Sequence, residues 1–276
     1  MDPSPRSNEP DATRITPLPA APPGAGVLLF GGTFDPPHRA HIALARAAQR
    51  ELARRGHSTT LVFVPAARSP FKPGGPEASG EERARMLVAA MREREAGEVP
   101  PIGLGNGAEP MPWGVWTDEI DRADAGEASY WVDTLRRART LLDAQQRADA
   151  RLWFIVGTDQ ALSLHQWREP HEILRLARPI VLARASEHAF ADKRVDPAMR
   201  ARFMEQLRAT GAWSDEEMST WGEALLEGQP LLAHRATDAR EALARGASDD
   251  ELRSLLHHGV LAIIRERGLY GASAAD

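Results

Sequence analysis

The chain has 276 residues, 42% of them hydrophobic, enough for one core of ordinary size or two small ones. A net charge of -5 leaves no excess of Lys and Arg to neutralise a polyanion, which argues against a nucleic-acid or membrane-surface binder. Without cysteine there is no disulfide framework, thiolate metal site or cysteine nucleophile; no apolar run reaches the roughly 18 residues of a membrane span, no signal-peptide core opens the chain, and a cytoplasmic protein is expected.

Residues 1–24 carry seven prolines and few large apolar groups, so they read as a disordered tail before a domain over 25–276. An apolar run at Val27 to Phe30, a helix from about Pro37 to about Arg55 and "STTLVFVPA" at 58–66 make a β-α-β unit, whose crossover implies parallel strands. Next come "EERARMLVAAMRERE" as helix, "VWTDEI" as strand, "SYWVDTLRRARTLLDAQQ" as helix and "RLWFIVG" as strand. A Trp-containing loop with "HEILRLA" and a strand at "RPIVLAR" follow. This alternation predicts an α/β, Rossmann-like open parallel sheet with helices on both faces, whose ligands lie beyond the carboxyl ends of the strands, where strand order reverses. Residues 192–231 read as a helical insertion with two short helices. Residues 237–270 form a small C-terminal helical part, with Ser248 and Glu251 at capping-box spacing and Gly268 at a helix stop.

The stretch "LLFGGTFDPPHRAH" concentrates chemistry at the first strand-to-helix junction. Gly31 and Gly32 let backbone approach a ligand, Thr33 offers a hydroxyl, and a helix N-terminus aims N–H groups and positive dipole at the same place. His38 and His41 stand one helical turn apart, so both imidazoles can face one anion. Two other readings use the same residues. Glycines can serve packing beside surface histidines, and His38, His41 and Asp35 can be imagined around a metal, which leaves the glycines and Thr33 without a task.

The segment "GGTFDPPHRAH" resembles the signature of the HxGH nucleotidyltransferases, with Ala40 where that family usually has glycine. Further blocks, "FVPAARSPFK", "EERARML", "SYWVDTL", "FIVGTDQALSLHQWREPHEIL", "IVLAR" and "IIRERGLY", follow in the order of its bacterial nicotinate-nucleotide adenylyltransferases and span residues 27 to 270. The resemblance implies direct attack of the nicotinate mononucleotide phosphate on the α-phosphorus of ATP, with pyrophosphate leaving and Mg²⁺ carried on the triphosphate. Such an enzyme needs no nucleophile of its own; it positions two polyanions and stabilises developing charge.

Carried over residue by residue, Gly31, Gly32 and Thr33 lie along ATP, while His38 and His41 hold its phosphates and act with Thr33 as the catalytic group. Gly157 and Asp159 take the adenosine part, the carboxylate accepting from ribose hydroxyls. Thr237 and Arg240, in "HRATDAR", stand where the family has "ISSTEIR" and fall to ATP. Lys72, Ser129, Tyr130, Thr134, Trp167 and Arg184 fall to the acceptor, Trp167 by stacking on the pyridine ring. Phe71 replaces a family histidine beside Lys72, and Trp131 replaces the threonine of "SYT". Arg83 matches a family arginine but equally suits an exposed helix face, and His257 and His258 read as helix-end surface groups.

The partners implied are ATP and nicotinate mononucleotide, with no nucleic acid and no membrane, and a homo-oligomer left open. Three alternatives stay beside this reading. Nicotinamide mononucleotide or another phosphate is the acceptor, since acid and amide differ by one group. Pantetheine-phosphate adenylyltransferase is disfavoured by His38 and by the "GTDQ...W" block. A nucleotide-binding protein that has lost catalysis would account for Ala40, Trp131 and the missing serines.

Overall fold

Strands buried on both faces of a parallel sheet read as nearly continuous apolar runs, and the runs at Val27, Leu61, Leu152 and Ile180 are the inner part of this fold. A computed structural model describes residues 18–67, 75–93, 111–123, 129–183, 195–225 and 235–272. In chain order these hold β1 (Gly26–Gly32), α1 (Arg39–Arg54), β2 (Thr59–Pro65), α2 (Gly80–Arg92), β3 (Trp113–Val115), α3 (Asp118–Arg122) and α4 (Trp131–Ala144). There follow β4 (Leu152–Gly157), α5 (Thr158–Ser163), α6 (Pro170–Leu176), β5 (Arg178–Leu182), α7 (Pro197–Ala209), α8 (Asp215–Ala224), α9 (Ala236–Ala244), α10 (Asp249–Leu255) and α11 (His258–Arg267).

The five strands pair in parallel in the order β3-β2-β1-β4-β5, the expected Rossmann-like sheet. Strand order reverses between β1 and β4, so the carboxyl ends at Gly32 and Gly157 flank the crevice where such sheets bind ligands. Side chains alternate across β1. Leu28 joins one core with Ile42, Met86, Leu243 and Ile264, whereas Val27 and Leu29 join the other with Val132, Leu135, Ile173 and Trp221. Helices α1 and α2 and the C-terminal helices thus cover one face of the sheet, and α4 to α8 cover the other.

Three sequence expectations are corrected. The strand expected through "VWTDEI" stops at Val115, and Asp118 and Glu119 open α3, where acidic groups suit the positive end of a helix. The first helix starts at Arg39 instead of near Pro37. His38 stands in extended backbone as the cap of α1, so the helical residues begin only after it. The tail boundary at residue 24 is too late, because Leu18 is buried in the second core and Pro19 stands where a side chain on Gly114 would have to go. The two short helices expected within residues 192–231 are α7 and α8, and they pack onto that second face, with Phe203, Leu207, Trp221 and Leu225 buried there and Leu225 bridged to Val181 of β5. No helix among the described residues is long and apolar enough to cross a membrane.

The two faces meet at Gly31. The Trp131 indole, from the first turn of α4, lies so close that a Cβ on Gly31 would stand 2.5 Å from its Cζ3. The ring is rigid, so it must move. Gly31→Ala is expected to lower unfolding free energy by about 1–3 kcal/mol in a denaturant titration, and the loss should shrink when Trp131→Ala is present as well.

Candidate active site

At the end of β1 the backbone turns left-handed at Phe34, with φ 52°, before the two prolines and the N-terminus of α1. The Phe34 ring is buried against Phe30 and Phe63 and meets the His41 ring edge-on at 5.1 Å. Arg83 fixes the turn from below. Its Nη1 donates to the Thr33 carbonyl and to the Ala66 carbonyl, each at 2.7 Å, and its Nε donates to the Ala78 carbonyl at 3.2 Å. Arg83 is only 1% exposed, so the exposed-helix alternative is excluded; burial holds its pKa below the ordinary arginine value without taking away its charge.

His38 and His41 stack, ring centroids 3.6 Å apart and interplanar angle 29°, which brings both imidazoles to the same helix N-terminus as their spacing implied. The His38 backbone N–H donates to His41 Nδ1 at 3.3 Å. A neutral His41 therefore carries its proton on Nε2, the tautomer that can donate to an anion while its other nitrogen is engaged. Gly31, Gly32 and Thr33 are half-buried on the approach to this pair.

The C-terminal part reaches the same place. Arg240 of α9 donates from Nη1 to the Asp35 carbonyl at 2.5 Å and from Nη2 to Thr237 Oγ1 at 3.4 Å. Its guanidinium is thus engaged on the junction backbone, and Thr237 stays exposed beside it. Across the crevice Gly157 caps α5 and Asp159 is exposed in its first turn.

The residues expected on the acceptor side divide. Trp167 is half-buried on the second core, and the next residue, Arg168, lies over the Tyr130 ring at 4.8 Å, which brings the Trp167 loop beside the start of α4. Thr134 does not line an open pocket. It is fully buried, and its Oγ1 donates to Glu119 Oε1 at 2.5 Å, while Ser129 also hydrogen-bonds that carboxyl. Burial is the main cause that raises the Glu119 pKa above the ordinary carboxylate value, opposed by these two hydroxyls. The neighbouring Asp118 is instead paired with Arg122 and Arg137, each at 2.7 Å. Lys72 and Arg184 lie outside the described residues. His257 is corrected from surface to core; it is fully buried with Nδ1 3.4 Å from Glu93.

Among the described residues no group of three or more His, Cys, Asp or Glu could hold a metal ion, so the reading of His38, His41 and Asp35 as ligands has no support there. A cavity of about 660 Å³ between α7 and α8, lined by Arg200, Met204, Trp213 and Met218 among others, shares no residue with this junction.

Fold and junction together define an α/β protein with anion-binding geometry at its first crossover. A family profile described as cytidylyltransferase-like matches residues 29–227. A protein of Chromobacterium violaceum named as a probable nicotinate-nucleotide adenylyltransferase is 32% identical over 250 residues, covering 89% of this chain and 99% of that protein. One of the same name from Stenotrophomonas maltophilia is 30% identical, covering 88% of this chain and 96% of that protein. The Plasmodium falciparum nicotinic acid mononucleotide adenylyltransferase complexed with NaAD matches the fold with a TM-score of 0.55 at 12% identity, covering 91% of this chain and 100% of that one. The chain belongs to the cytidylyltransferase-like family and, within it, to the nicotinate-nucleotide adenylyltransferases.

The raised pKa of Glu119 has a measurable sign. The folded state disfavours its ionisation, so its contribution to stability is complete below the ordinary value of 4.5 and is lost as pH rises through the raised value. Unfolding free energy measured across that range should fall more with rising pH in the parent than in Glu119→Gln; parallel curves would show that the carboxyl ionises freely in the folded protein.

Proposed function

We propose that this chain transfers the adenylyl group of MgATP to the phosphate of nicotinate mononucleotide, giving nicotinate adenine dinucleotide and pyrophosphate, the penultimate step toward NAD. The stacked pair His38 and His41 at the N-terminus of α1, facing the strand-order reversal, is the observation that supports this most. In the reaction an acceptor phosphate oxygen bonds to the α-phosphorus, and the bond from that phosphorus to the bridging oxygen of pyrophosphate breaks. No covalent enzyme intermediate is required, so the protein's work is alignment and charge stabilisation.

Each side chain then has a defined task. Backbone N–H groups of Gly31 to Thr33 and the start of α1 lie along the triphosphate, and the Thr33 hydroxyl adds a donor. His38 and His41 donate to phosphate oxygens as negative charge grows on the leaving group. Gly157 leaves room for the nucleoside, Asp159 accepts from its ribose hydroxyls, and Thr237 with Arg240 closes the phosphate side. Trp167, Tyr130 and Ser129 face the acceptor, with Lys72 and Arg184 as its cationic partners. Magnesium arrives on the triphosphate as part of the substrate, where it neutralises charge.

Purified protein with MgATP should release pyrophosphate when nicotinate mononucleotide is added, and do so faster than with the amide. His41→Ala should cut kcat by about 100-fold or more while the circular dichroism spectrum and melting temperature stay near the parent's. A His41→Ala rate within threefold of the parent would remove this histidine from the chemistry.

A further inference from the structure

Asp35 lies between the left-handed Phe34 and the histidine pair, and its buried carboxylate is shared among distant segments. Oδ2 accepts from the Glu77 N–H at 2.9 Å, and Oδ1 accepts from the Ala78 N–H at 3.1 Å. Oδ1 also accepts from the Tyr270 hydroxyl at 2.6 Å, a contact between residues 235 positions apart. Tyr270 is itself tightly placed. It is 3% exposed, its φ is 57°, and its backbone N–H donates to Glu77 Oε1 at 2.7 Å. The carboxylate, the phenol and Glu77 therefore close a ring of hydrogen bonds joining the first crossover, the start of α2 and the last turn of the chain.

We infer that the Tyr270 hydroxyl is a positioning group for adenylyl transfer: through Asp35 it fixes the turn that presents His38 and His41 to the triphosphate. The inference rests on the role given above to those histidines. Its physical basis is directional. Among the described residues Asp35 is anchored on its backbone side by Arg240 and on its carboxylate side by two amides and one phenol, and of these only the phenol belongs to a segment beyond α11. Removing the hydroxyl leaves the ring in its packing and releases one of the three donors to the carboxylate among the described residues. The turn then gains freedom next to the two imidazoles, and a displacement of about 1 Å at a reacting centre lowers rate by about 100-fold. The phenol is buried and its hydroxyl is turned to Asp35, so a loss of alignment should act on kcat and leave the binding of both substrates nearly intact.

The test compares Tyr270→Phe with Ile264→Val, an apolar change in the same core that removes no hydrogen bond, and with His41→Ala, using steady-state pyrophosphate release and thermal melts on the full chain. Tyr270→Phe should lower kcat by about tenfold or more with both KM values within threefold of the parent, while Ile264→Val keeps the parent kcat despite a comparable loss of melting temperature. Asp35→Asn, which keeps the side-chain shape, should lower kcat in the same way. Unchanged kcat in Tyr270→Phe with an inactive His41→Ala overturns the positioning role alone. A loss carried only by KM, or matched by Ile264→Val, overturns it too. Parent-like rates in both Tyr270→Phe and His41→Ala would overturn the histidine reading and this inference together.

Discussion

The left-handed backbone at Phe34 is the constraint on which the junction depends. A non-glycine residue held there costs about 1–3 kcal/mol, and burying a phenylalanine ring recovers a similar amount, about 1.5–3 kcal/mol. Packing balances the strain but does not choose its direction. Direction comes from the two guanidiniums on the flanking carbonyls, Arg83 on Thr33 and Arg240 on Asp35. Arginine suits this work because its donors form a planar fork and its charge survives burial. With the carbonyls held away, the chain enters α1 with His38 at the cap and His41 stacked upon it.

This arrangement makes the two faces of the sheet interdependent. Trp131 of α4 lies against Gly31 from one side, while α2 supplies Arg83 and the C-terminal helices supply Arg240 and, just beyond them, Tyr270 from the other. The C-terminal part is consequently more than a cover for hydrophobic surface. It closes hydrogen bonds onto the turn that follows the first strand, which ties the integrity of the site to the turn at Leu269–Gly271. The cost of such a design is sensitivity: changes far apart in the sequence converge on one loop.

The sequence made local features legible. Apolar runs and Gly-Gly punctuation located β1, β2, β4 and β5, and the histidine spacing placed both rings on one helical turn. The limits of β3 were not legible, because three residues at a sheet edge give little periodicity and the apolar Val115 and Trp116 run straight into the acidic first turn of α3. Burial of a charge was not legible either. Arg83 reads as one more helix arginine until three carbonyls from separate segments are known to converge on it. The same holds for Thr134, whose hydroxyl turns inward to Glu119, and for Tyr270, whose partner Asp35 lies at the other end of the chain. In each case the missing information was a long-range polar contact, which composition and spacing do not encode.

The most direct measurement is a crystal structure with magnesium and a non-hydrolysable ATP analogue. The triphosphate is expected across the Gly31 to Thr33 amides, with oxygens in hydrogen-bond reach of His38 and His41 and with Phe34 still left-handed. A triphosphate bound elsewhere, or a turn rearranged so that Phe34 adopts negative φ and the two rings separate from the phosphates, would contradict it.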